Sequence, residues 1–250
     1  MILVGDYLKA AECFSELHTE TNWSKAFYCY LQATCYLRVG EVTKASNLFI
    51  EAPTLIKKRI GGRTIPIEAF VKSRSHFYNE RLNANSTSDL LLQSLPQLEV
   101  TYYFNGFHFM SQKQLGDLIE QLNSFNAPKP DQIIMDDEVN ILSHMILGSI
   151  YRESNDWDLA QQHLSHLINL PGSNTFQSTT LSYSYFELAV LEFSNSPPGT
   201  PSEEPKKVKM NSYLQGVNQY LLHSELEERL AYRMEWLKED ILLVPSALSS

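Results

Sequence analysis

The stretch LGSIYRESNDWDLAQQHLSHLINLP, residues 147–171, reads as two amphipathic helices joined by a short polar turn. Gly148 and Ala160 are small where the two helix backbones must approach closely, and Leu164 is large where the space between them must be filled. Leu147, Tyr151 and Trp157 add to the apolar stripe, and Pro171 closes the second helix. Such a hairpin has an apolar face that it cannot bury alone, so copies of it must stack.

Copies are present. Residues 5–17, GDYLKAAECFSEL, and residues 40–53, GEVTKASNLFIEAP, share a glycine, an acidic residue and a K-A-x-x-x-F run at a shift of 35 positions. That shift lies close to the ~34-residue period of tetratricopeptide repeats. Ala10, Ala45 and Ala160 fall at the small position of the second helix, and Phe14, Phe49 and Leu164 at the large one. The fold class is therefore all-α, a tetratricopeptide-like helical-hairpin repeat solenoid. The first copy is a second helix without a first, so the sequence is expected to be the C-terminal portion of a longer protein.

Punctuation places the remaining helices. Ser94–Gln97, Ser111–Gln114 and Ser224–Glu227 have the spacing of capping boxes, and Pro66 follows Thr64 at a helix start. Helices are predicted near 6–20, 23–39, 41–52, 65–82, 95–110, 112–124, 135–153, 156–169, 177–194, 207–223 and 225–241. Residues 83–93 and 124–132 read as connectors. Residues 195–209, NSPPGTPSEEPKKVK, read as a disordered insertion between two helices of one repeat. The expected organisation is repeats with spacer helices over 1–194, the insertion over 195–209, closing helices over 210–243 and a flexible tail over 244–250.

Bulk properties exclude several classes. A net charge of -9 gives no basic footprint for wholesale nucleic-acid binding. The opening MILVGDYLKAAECF lacks the cationic and apolar regions of a secretory leader, and no apolar run reaches the ~20 residues that span a bilayer. The three cysteines, Cys13, Cys29 and Cys35, are unclustered and read as buried thiols. No G-x-S-x-G, H-E-x-x-H or C-x-x-C pattern occurs, and the Gly61-Gly62 stretch lacks a P-loop ending. No cofactor and no metal are expected: His163 and His166 share a helix face, but without a third ligand they read as surface histidines.

Four blocks resemble the tetratricopeptide repeat protein 39 family and its fungal inclusion body clearance relatives. They are NWSKAFYCYLQATCYLRVGE (22–41), APTLIKKRIGGRTIPIEAFVKSRSHF (52–77), LPQLEVTYYFNGF (95–107) and LEERLAYR (226–233). The second block carries the most specific match, at Gly62, Pro66, Glu68 and Phe70; the third has Phe104 where tryptophan is more usual. The resemblance implies a non-enzymatic cytoplasmic protein, in some members also nuclear. For the fungal branch it implies a role with lipid-droplet-associated partners in clearing inclusions, and for animal relatives a link to lipid metabolism through protein binding.

Two candidate surfaces follow. The concave face of such a repeat is lined by Phe27, Tyr30, Thr34 and Leu37, then Leu142, Met145, Ser149 and Arg152, then Tyr183, Phe186, Val190 and Phe193. This lining suits an amphipathic helix or apolar peptide, unless other helices of the chain fill it. It lacks the Lys and Asn of a carboxylate clamp. The second candidate is the basic loop of Lys57, Lys58, Arg59 and Arg63, which either holds an anion or acidic partner ahead of a helix N-terminus or is a solvated connection. Pro205–Lys209 only faintly resembles a nuclear-import motif and reads as linker. The expected function is an adaptor that binds other proteins; the alternative is a lipid-handling protein with an apolar groove, peripheral to organelle surfaces.

Overall fold

The computed structural model describes residues 5–21, 23–57, 59–60, 63–84, 89–134, 137–194 and 203–243. The chain divides into two compact units, residues 1–127 and 128–250.

The first unit contains α1 (Tyr7–Glu20), α2 (Lys25–Arg38), α3 (Val42–Glu51), β1 (Arg59–Ile60), β2 (Arg63–Thr64), α4 (Pro66–Ala84), α5 (Leu90–Tyr103) and α6 (Gln112–Ser124). The second contains α7 (Glu138–Glu153), α8 (Trp157–Leu167), α9 (Thr175–Ser194), α10 (Glu203–Tyr220) and α11 (Glu227–Leu243). The two short strands pair antiparallel, Arg59 with Thr64 and Ile60 with Arg63.

The repeat is visible in the turns. Gly40 and Asn155 both take positive φ, 80° and 64°, and their amides reach back to the carbonyls of Leu37 and Arg152 at 3.0 and 3.1 Å. The next residues, Glu41 and Asp156, bond to Tyr36 and Tyr151 in the same way. Glycine meets the left-handed conformation at no steric cost, and asparagine tolerates it, so the two hairpins α2–α3 and α7–α8 share one turn. Their contacts also match: a Cβ added to Gly148 would lie 2.6 Å from Cγ of Leu164, and Ala45 and Ala160 are fully buried. In the first unit, α1 packs on α2 through Ala10, Ala11 and Cys35, with Tyr7, Phe14 and Tyr36 around them.

Three helix boundaries differ from the sequence reading. The Ser111–Gln114 box is formed, each partner satisfying the other's backbone, but Ser94 starts nothing. Instead α5 begins at Leu90 under an Asp89 cap, with Ser94 Oγ donating to the Leu90 carbonyl at 2.7 Å and Pro96 inside the helix. Burial of Leu92, Leu95 and Leu98 offsets an interior proline's cost of ~3 kcal/mol. Ser224 does not cap α11 either. Its hydroxyl meets Ser182 Oγ at 2.6 Å and the Tyr220 carbonyl at 2.9 Å, tying the α10–α11 turn to α9.

The third difference is the insertion. Residues 203–209 are the first turns of α10, and only 195–202 lie outside the described residues, as do 244–250. Met210, Leu214 and Val217 are buried and α10 packs along α9. Lys209 pairs with Glu192 of α9, so the basic stretch read as linker belongs to a packed helix. A proline is tolerated in a helix's first turn, where Pro205 stands.

Candidate partner-binding surfaces

Most of the predicted concave residues are interior. In the first unit Phe27 stacks on Phe104 at 5.5 Å, while Tyr30 touches Phe49 at 5.6 Å and Phe70 at 5.8 Å. Thr34 turns its hydroxyl onto the Leu31 carbonyl, and Leu37 is fully buried. The spacer helices α4 and α5 lie where a groove was expected. Between them sits a charged cluster: Arg74 Nε meets Glu99 Oε1 at 2.7 Å, and Tyr78 donates to Glu99 Oε2 at 2.7 Å. All three are buried. Burial and the neighbouring Glu99 carboxylate hold the Tyr78 phenol well above its ordinary pKa, so it remains a donor.

The second unit repeats the arrangement. Leu142, Met145 and Ser149 are buried on α7, with Ser149 bonded to the Ile146 carbonyl. Tyr183 donates to the carbonyl of Leu226, and Phe186 lies 4.6 Å below the Arg233 guanidinium. Val190 and Phe193 are half-buried. Arg152, read as groove lining, is an internal partner: its Nε meets Glu187 at 2.6 Å, and Arg233 meets the other Glu187 oxygen at 3.0 Å. These contacts join α7, α9 and α11. Of the two alternatives read from the repeat positions, the chain's own helices cover most of these residues within each unit, and the open groove is not what the structure presents. Apolar stripes that would otherwise remain wet are buried by the spacer segments.

Sequence reading missed Glu99, Glu187, Arg74 and Arg233. A signal existed: each interrupts an apolar helical stripe, as in YSYFELAVLEF. Their partners lie 25 to 46 positions away and no short spacing reveals them.

His163 is also internal rather than superficial, while His166 is exposed. Its Nδ1 lies 2.9 Å from Nδ1 of His144, one ring donating and the other accepting, and Tyr151 stacks on it at 5.4 Å. Burial lowers both imidazole pKa values, that of His163 to about 3. Among the described residues no group of three or more potential metal ligands occurs. Cys29 and Cys35 are buried and Cys13 is half-buried; desolvation pushes the first two thiols up to about 12 and keeps them protonated.

The basic loop is a different kind of place. Arg59 and Arg63 stand in the β1–β2 hairpin, Lys57 precedes it, and Lys58, Gly61 and Gly62 lie outside the described residues. The helix N-terminus that follows already has a carboxylate in its first turn, buried Glu68, whose Oε1 accepts from Ser24 at 3.2 Å. An anion here would rely on the cations, not on the helix end. Beside the hairpin, α3 and α4 bound a groove of about 790 Å³. Its lining includes Ile50, Pro53 and Thr64 on one side and Lys72, Ser75, His76 and Asn79 on the other.

The fold is that of a helical-hairpin repeat protein. The chain belongs to the Iml2/Tetratricopeptide repeat protein 39 family, whose pattern matches residues 1–154. It is similar to the inclusion body clearance protein IML2 of Candida glabrata, 25% identical over 202 residues, 73% of this chain and 27% of that one. An uncharacterized protein of Schizosaccharomyces pombe is 26% identical, with 90% of this chain matching 40% of it. The Saccharomyces cerevisiae IML2 protein is 24% identical over 62% of this chain and 24% of its own length. The chain thus spans between a quarter and two-fifths of these relatives. No solved structure matches it. Among the described residues no helix is long and apolar enough to cross a membrane.

Proposed function

We propose that the chain is a non-catalytic interaction module, acting in the cytoplasm and also the nucleus, that recruits proteins for the clearance of inclusions. The observation that carries this reading is the basic hairpin over Lys57–Arg63 beside an open, partly apolar groove, on a chain of net charge -9. Clearance comes from the names of the fungal relatives. Family resemblance supports lipid-droplet-associated proteins among the partners. In this reading the filled concave face is scaffold, and Lys57, Lys58, Arg59 and Arg63 meet an acidic partner.

The test is a chimera. The whole chain replaces the matching region of the Saccharomyces cerevisiae relative, in cells lacking the original, and cells retaining a fluorescent inclusion after heat stress are counted. The chimera is expected to restore clearance, and the same chimera with the four cations reversed to glutamate is expected to lose most of it. If both chimeras clear equally well, the hairpin is a connector. If neither does so while both accumulate as folded protein, the module reading fails for this chain.

A further inference from the structure

The groove between α3 and α4 has features of a binding site rather than of packing. Ile50 leaves 58% of its surface exposed at one wall, next to Pro53. A large aliphatic side chain exposed over an apolar cleft is an unused contact that an apolar group would cover favourably. The opposite wall carries exposed Lys72, which makes no ion pair among the described residues, while its neighbour His76 is engaged by Glu80 at 3.3 Å. Ser75 also lines the groove; it is fully buried and its hydroxyl has no hydrogen-bond partner among the described residues. Such a group is destabilising while it stays unsatisfied.

The groove's edge is continuous with the backbone of the β1–β2 hairpin. Thr64 lines the groove, and Thr64 pairs in register with Arg59. The hairpin that carries the densest run of cations in the sequence therefore ends at the groove's edge. An occupant must combine an apolar group for Ile50 and Pro53, a negative charge for Lys72, and a backbone polar group for Ser75. An extended acidic–apolar peptide segment presents these on alternate side chains at the ~6.6 Å repeat of a strand.

We propose that this groove binds an extended peptide in which acidic and apolar residues alternate, with its apolar side chain on Ile50 and its carboxylate on Lys72. This rests on the reading of the basic hairpin as an acidic-partner site and names the groove as the place where specificity arises.

Fluorescence anisotropy of the full chain tests it with a labelled heptapeptide alternating aspartate and leucine. Comparison peptides carry lysine for aspartate or serine for leucine. The first is expected to bind, and each comparison peptide to bind roughly tenfold more weakly, the equivalent of about 1.4 kcal/mol. Ile50→Ser and Lys72→Glu, both at exposed positions, should each weaken binding several-fold without moving the thermal midpoint. Ser75→Ala should weaken binding while leaving the free protein at least as stable. Should reversal of the hairpin cations abolish binding while Ile50→Ser and Lys72→Glu do nothing, the groove assignment falls and the hairpin reading stands. The reverse pattern keeps the groove and removes the hairpin. Absence of peptide binding overturns the proposal; if phosphatidylserine vesicles bind instead, in a manner sensitive to Lys72→Glu, the site is one for anionic headgroups.

Discussion

Glu187→Ala is expected to destabilise the second unit by ~3–5 kcal/mol, the cost of removing one partner from a buried ion pair. Glu187 is 0% exposed and its two oxygens are held by Arg152 and Arg233. Truncation leaves both guanidiniums facing an apolar interior. Both guanidiniums are largely buried, and Arg152 keeps its contact with Glu153 at 2.9 Å. A urea titration followed through Trp157 and Trp236 fluorescence should show the loss as an earlier midpoint. Replacing the three by Met, Leu and Met (Arg152→Met, Glu187→Leu, Arg233→Met) should recover most of it, because apolar groups of similar volume need no desolvated charge. A loss below ~1 kcal/mol for Glu187→Ala would mean that α11 is not seated on α7 and α9 as described.

The second large effect is a pH dependence at the histidine pair. An unfolded His163 takes up a proton near its ordinary 6.5, whereas the folded side chain resists until about 3. Between those values the unfolded state binds more protons, so acidification favours unfolding. The stabilisation is fully present above about 6.5 and is lost as pH falls toward 3. The slope from one such group reaches at most ~1.4 kcal/mol per pH unit. His144, lowered by the same burial, acts in the same direction. Denaturation at a series of pH values from 7.5 to 4.5 should show stability falling with acid. In the double variant His144→Leu, His163→Leu, much of that fall should disappear, with neither ring left as an orphan. Equal pH profiles for the two proteins would show that the rings are solvated in solution.

How much of this was legible beforehand depends on the range of the interactions involved. The α2–α3 and α7–α8 hairpins were readable because their determinants are local: a glycine or asparagine at the turn, an alanine at the close approach and a large residue opposite it. The Ser111 cap was readable for the same reason. The start of α5 was not, because Ser94 and Pro96 formed a plausible local signal that the burial of Leu92 and Leu95 overrode. The insertion was read too long since Pro205 and three lysines resemble linker composition, while the apolar positions that anchor α10 begin only at Met210. The concave face shows the same limit in its strongest form. Repeat position singled out Phe27, Tyr30, Tyr183 and Phe186, and all four are buried. Whether they meet a partner or the chain itself was set by α4, α5 and α11, which have no repeat signature. The groove beside the hairpin needed three-dimensional proximity of Ile50, Thr64 and Lys72, which no spacing rule supplies.

The measurement that tests the central claim most directly is native-state hydrogen exchange across α2, α5, α9 and α11. If α5 and α11 are permanent fillers of the concave face, their core amides exchange as slowly as those of α2 and α9, through the same opening of their own unit. If α5 and α11 instead exchange orders of magnitude faster than the helices they cover, they lift away. Phe27, Tyr30, Tyr183 and Phe186 would then be a partner groove held shut only in the free chain, contradicting the assignment of binding to the hairpin side.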